Sequence, residues 1–237
     1  MNDVSSRPSR PLRFGWAAGL PISLLIFLLI FDPTPLDFAI SNWFYQPDVG
    51  FAGKRSYVLE NILHDWAKQG VIAFGVLAIL GFIGSWVRPA WAEWRRPLGY
   101  LILAMGISTA IVNPLKTLTK VHCPWSLVEY GGKETHTELL QQRAPTVEKG
   151  GRCWPAGHAS SGFTLFALFF FLRDWRPRWA LAAFWFAFVL GNILGIGRVM
   201  QGAHFFSHQL WTAGLDWLIC LMLYRWLLYR PLSVTKQ

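Results

Sequence analysis

Six stretches of the chain are almost continuously apolar, at residues 14–31, 70–87, 97–113, 156–172, 179–197 and 209–229, and charged residues fall mostly between them. Most of these runs approach the roughly 20 residues that a helix needs to cross a bilayer. The fourth is short. The pattern therefore predicts an all-α fold, a polytopic bundle of six transmembrane helices. With no internal repeat or low-complexity tract, residues 1–237 read as a single membrane-embedded domain. The first run follows Arg7, Arg10 and Arg13, as a signal peptide would. It leads into Phe31-Asp32-Pro33 rather than a small-residue cleavage site, so it is expected to stay as an anchor.

Two connections between the runs are long, residues 32–69 and 114–155, and long loops in a compact helical domain usually carry function. The first holds Phe38, Ile40, Trp43, Phe44 and Tyr45, then Val58, Leu59, Ile62, Leu63 and Trp66, the second group at helical period. These segments read as interfacial helices on the outer leaflet with aromatics at headgroup depth, or as a packed cap without lipid contact.

Composition agrees with a bilayer protein: 53% of the 237 residues are hydrophobic, 14 are tryptophan, and the mean hydropathy is +0.32. The net charge of +9 then reads as topology. With a cytoplasmic N-terminus, the inner segments hold twelve basic residues against Asp3, Glu93 and Asp174, while the outer loops hold ten against nine acids. The positive-inside rule selects that orientation, with both termini cytoplasmic and the long loops periplasmic in a bacterial inner membrane. Anionic inner lipids and topology account for the basic excess, so a nucleic-acid partner is not expected.

The candidate chemistry sits in three polar segments that meet this outer surface. Lys116 opens Lys-Thr-Leu-Thr-Lys-Val-His-Cys-Pro, and Lys116 and Lys120, one helical turn apart, can meet one phosphate. Pro155-Ala156-Gly157-His158 starts the fourth run, where a helix N-terminus offers free N–H groups to an anion and His158 can give up a proton. Arg198 and His204 lie in the third segment, with His208 four residues further on the same helical face. An arginine grips phosphate bidentately.

These residues resemble the signatures Lys-x6-Arg-Pro, Pro-Ser-Gly-His and Ser-Arg-x5-His-x3-Asp of the type 2 phosphatidic acid phosphatases. Lys116 and Pro124, then Pro155, Gly157 and His158, then Arg198 and His204 stand in register. The resemblance implies a cofactor-independent, metal-independent membrane phosphatase acting on a lipid phosphate or pyrophosphate. Lipid A, undecaprenyl pyrophosphate and a phospholipid monoester all stay open, as does transfer to a lipid acceptor. It also implies that His204 attacks phosphorus, His158 protonates the leaving oxygen, and Lys116, Arg198 and the Gly157 N–H hold the equatorial oxygens.

The chain departs from the family at four positions. Cys123 stands at the family arginine, for which Lys120 or Arg152 is the expected substitute; Ala156 and Gly197 replace serines; and His208 replaces the aspartate that orients the nucleophile. Asp216 is too far along the last helix to stand in, about 18 Å from His204. Because Lys116 and His158 must meet at one phosphate, Cys123 and Cys153 are expected to form a disulfide. Closing that loop is worth about 3–4 kcal/mol in the chain-entropy picture. A different class, a metal-binding or transport protein using His122, His204 and His208, is the competing reading, weakened by the surrounding lysines and arginine.

Overall fold

The computed structural model describes residues 9–54, 56–59, 65–141 and 150–231. In chain order the elements are α1 (Phe14–Ile30), α2 (Thr34–Asn42), the strands β1 (Tyr45–Gln46) and β2 (Gly50–Phe51), α3 (Ala67–Val87), α4 (Arg95–Ala110), α5 (Val112–Thr119), α6 (Gly157–Phe163), α7 (Phe166–Leu172), α8 (Pro177–Met200) and α9 (Phe206–Leu227). Each apolar run of the sequence has become helix. The third continues past a bend near Ile111 into α5, and the fourth is divided at Thr164 and Leu165 into α6 and α7.

Three helical segments are long and apolar enough to cross a membrane: α3, the run Pro89–Ser126 that contains α4 and α5, and α8. Helices α1 and α2 qualify only as a pair, bent by 88°. The divided α6–α7 segment is shorter, and α9 buries Ser207, His208, Gln209, Thr212 and Asp216 among its apolar residues. By length and composition alone, three or four of the six expected spans qualify among the described residues.

Helix α9 is the hub, packing on α1, α4, α6, α7 and α8. Tyr100, Phe163, Phe166, Phe170, Leu221 and Tyr224 form the core around it. Helices α6 and α8 touch backbone to backbone where Gly162 meets Gly191, an approach that a Cβ at either position would block. By contrast α3 is hardly covered, leaving Ile72, Leu77, Leu80, Ile83, Trp86 and Val87 exposed. So large an apolar face has lipid, not water, as its natural solvent.

The two ends of the bundle differ. At one end Arg88, Arg95 and Arg176 lie over the rings of Trp91, Trp86 and Trp175. At the other, Phe38, Tyr45, Phe51, Tyr130 and Phe205 pack into an aromatic cap that also touches His136. Phe38 and Tyr45, expected at headgroup depth, thus face protein, whereas Trp43, Val58 and Trp66 are exposed. Ile62 and Leu63 lie outside the described residues.

Candidate active site

Lys116 projects from α5 towards the start of α6. The place a Cβ would take on Gly157 lies 3.7 Å from its Nζ, which sets the ammonium beside the first turn of α6. Lys120 does not share that face, because it takes the left-handed conformation (φ 50°) that ends α5 just after Thr119. It is exposed, and its aliphatic stem lies against Gly150.

The second segment is tied down on both sides. Cys153 N–H donates to the Val121 carbonyl at 2.9 Å, which ties it to the first segment. Ala156, the residue before α6, donates its N–H to Thr212 Oγ1 (3.0 Å), and that hydroxyl donates in turn to the His208 carbonyl (2.8 Å). Thr212 therefore fixes the distance between His158 on α6 and the histidines of the third segment. Val112 also packs beside Gly157.

Arg198 ends α8. Its Nη1 donates to Gln201 Oε1 at 2.7 Å, and its guanidinium lies 5.7 Å from the Trp125 ring centroid. The chain then turns through Gly202, whose φ of +69° and contact with the Phe51 ring admit no side chain. Trp125 N–H donates to the Gly202 carbonyl (2.9 Å), and the buried Asp37 of α2 accepts from the Ser207 N–H (2.7 Å) and hydroxyl (2.5 Å) at the start of α9. His204 is pinned between these two anchors.

His204 is 3% exposed. Burial, and then the fields of His208, Lys116, His158 and Arg198, hold its pKa well below the usual 6.5, so the ring is neutral and keeps a lone pair at physiological pH. Arg198 and Arg152 likewise both act on Lys116. The three segments thus bring Lys116, Arg152, Arg198, His158, His204 and His208 into one electrostatic cluster. Lys120 is not in that set.

Cys123 and Cys153 are joined in a disulfide, with Cα atoms 5.1 Å apart. Cys153 Sγ lies 2.9 Å from the Ala203 carbonyl oxygen and 3.5 Å from His204 Nδ1. Ligand atoms of Cys153, His204 and His208 fall within 4.8 Å of one another. The sulfur is committed to the disulfide and has no thiolate for a metal, which leaves two imidazoles among cations, a poor donor set. His122 is not part of this group; its Nε2 lies 3.6 Å from Glu134 Oε2. Cys220 is a separate, buried free thiol, and Asp216 is buried in the bundle at 1% exposure.

A groove of about 470 Å³ opens directly from this cluster. Lys116 and Gly157 close its upper end with Asn113 and Lys68, and Val71, Ile72, Ile79, Ile102 and Met105 line its length between α3 and α4. A cationic head with an apolar slot beneath it suits an amphiphile.

Sequence reasoning missed four residues of the site. Thr212 and Asp37 act across long sequence separations with no local motif. Gln201 and Trp125 could have been noticed, the first three residues after Arg198 and the second next to Pro124.

Comparison with known proteins places the chain in a family. A model of the PAP2 superfamily matches residues 97–232, more than half of the chain. The lipid A 4'-phosphatase of Francisella tularensis subsp. novicida (strain U112) is 27% identical over 230 residues, covering 90% of this chain and 97% of that protein. The crystal structure of a transmembrane PAP2-type phosphatidylglycerolphosphate phosphatase from Bacillus subtilis shares the fold, with a TM-score of 0.52 at 20% identity over 87% of this chain and 94% of that one. The match spans all three polar segments and the helices that bring them together, and the chain accordingly belongs to the PAP2 superfamily, as an integral membrane hydrolase of lipid phosphates.

Proposed function

We propose that the protein removes a phosphate monoester from a lipid A-type glycolipid at the outer face of a bacterial inner membrane, through a phosphohistidine on His204. The observation that carries this reading is the apolar groove of about 470 Å³ running from Lys116 and Gly157 down between α3 and α4, next to the cluster of histidines and cations. It offers acyl chains a place while the phosphate stays among the charges. The similarity to a lipid A 4'-phosphatase over almost the whole of both chains favours that headgroup over undecaprenyl pyrophosphate or a phospholipid monoester.

In this mechanism neutral His204 Nε2 attacks phosphorus in line, and the bond to the leaving alkoxide breaks as His158 delivers its proton. Lys116, Arg198, Arg152 and the Gly157 N–H carry the charge on the equatorial oxygens. Water, deprotonated by His158, then cleaves the phosphohistidine and releases inorganic phosphate. The chain crosses the membrane six times in this reading, with α6–α7 and α9 as the two spans shielded by the others. The arginine-tryptophan end faces the cytoplasm, as the positive-inside rule requires.

Purified protein in detergent should release phosphate from bis-phosphorylated lipid A faster than from undecaprenyl pyrophosphate or phosphatidic acid. Vanadate should inhibit and EDTA should not. A preference for either of the other lipids would overturn the substrate assignment. Loss of activity in EDTA restored by zinc would support the metal reading instead.

A further inference from the structure

A nucleophilic imidazole needs its second nitrogen held, so that the proton sits on one nitrogen and the lone pair of the other points at phosphorus. The signature that the chain resembles has an aspartate where the chain has His208. The His204 and His208 rings meet edge to face with centroids 5.8 Å apart, and His208 Nδ1 has no hydrogen-bond partner among the described residues. What lies against His204 Nδ1 is Cys153 Sγ, at 3.5 Å.

We infer that the Cys123–Cys153 disulfide is the positioning group of the nucleophile: Cys153 Sγ accepts a hydrogen bond from His204 Nδ1–H and thereby fixes the lone pair on Nε2. This rests on the reading of His204 as the nucleophile. A disulfide sulfur carries no hydrogen, so it can only accept, and the proton must stay on Nδ1. A free thiol could donate to Nδ1 as well and would stabilise the opposite tautomer, so the bridge does more than bring sulfur near. Cys153 is fully buried and His204 nearly so, which keeps water from competing for the same nitrogen. Sγ also lies 2.9 Å from the Ala203 carbonyl oxygen, which places the sulfur beside the backbone that carries His204. Two departures from the family signature, Cys123 and His208, become parts of one arrangement: the cysteine at the arginine position creates the acceptor that the aspartate position no longer supplies.

Two bridge-free variants separate positioning from simple stapling. In C123A/C153A both the bridge and the acceptor are gone; C123A/C153D lacks the bridge but returns an acceptor to His204 Nδ1. The first should lose roughly 10- to 100-fold in kcat with KM little changed, the range typical when the partner that orients an imidazole is removed. The second should recover most of that loss. Equal rates in the two variants would overturn the proposal, because a bridge that only stabilises the loop leaves both alike. As a readout that needs neither turnover nor a bridge-free variant, ring 15N spectra of the parent protein in nanodiscs, assigned by the resonances lost in His204→Gln, should show His204 protonated at Nδ1. A proton on Nε2 in the oxidised protein would overturn it, whether or not the protein proves to hydrolyse lipid phosphates.

Discussion

The two ends of α9 treat their charged residues in opposite ways. At the end away from the site, Arg173 is wholly engaged: Nη1 donates to Tyr224 Oη (2.6 Å), Asp174 Oδ1 (3.1 Å) and the Arg10 carbonyl (3.1 Å), and Nη2 to the Pro11 carbonyl (3.1 Å). Tyr224 donates on to Asp174 Oδ2 at 2.8 Å, and Arg10 N–H to Asp174 Oδ1 at 2.9 Å. At the site end, Arg198 Nη1 donates to the neutral amide of Gln201 with its guanidinium by the Trp125 ring, and the charges of Arg198 and Arg152 both bear on Lys116. A cation with its own carboxylate close by ties the chain together. Cations gathered beside each other are poised for an anion that comes from outside. The difference separates structural charge from catalytic charge within one bundle.

Substitutions at the two ends should therefore fail in different ways. His204→Ala should have the largest effect, a loss of about 10⁴-fold or more in turnover with the protein still folded and inserted; undiminished phosphate release would remove the nucleophile assignment. Arg198→Ala comes next, at about 10²- to 10³-fold in kcat, the usual cost of removing one preorganised donor to transition-state charge. Its melting temperature should barely change. Arg173→Leu should do the reverse: turnover per folded molecule stays near that of the parent while stability falls by about 3 kcal/mol, as expected when one member of a buried ionic network is removed. Comparable turnover losses in Arg198→Ala and Arg173→Leu would erase the distinction between the ends.

The smallest effect is on pH dependence. The unfolded chain binds a proton at His204 near the ordinary pKa of about 6.5, whereas the folded protein resists protonation until a lower pH, so stability falls as pH drops below 6.5. Melting temperatures measured from pH 7.5 to 5 should decline less steeply in His204→Gln than in the parent. Parallel curves would show that burial of His204 carries no such penalty.

Much of this was legible before the fold. Apolar runs announce helices because a lipid-facing helix must be apolar on its whole outer surface, and all six runs are helical. Span number was less legible, since the most deeply packed helices, α6–α7 and α9, carry polar residues and breaks that hydropathy penalises. The three signatures named Lys116, Arg198, His158 and His204 through resemblance, and the structure gathers these four. Lys120 shows the limit of spacing arguments: i and i+4 share a face only while the helix lasts, and a left-handed residue ended it. Thr212 and Asp37 were beyond reach, because each acts through a single hydrogen-bonded hydroxyl or carboxylate on an element distant in sequence.

The phosphohistidine itself offers the most direct measurement. Protein mixed with lipid A labelled with 32P at its phosphates, quenched in alkali within the first turnovers and digested, should yield a labelled peptide containing His204. A phosphoramidate is stable in base and lost in acid, so the label should behave accordingly, and it should be absent from His204→Ala. Label on a different residue, or phosphate release with no labelled peptide at any quench time, would contradict a covalent intermediate on His204.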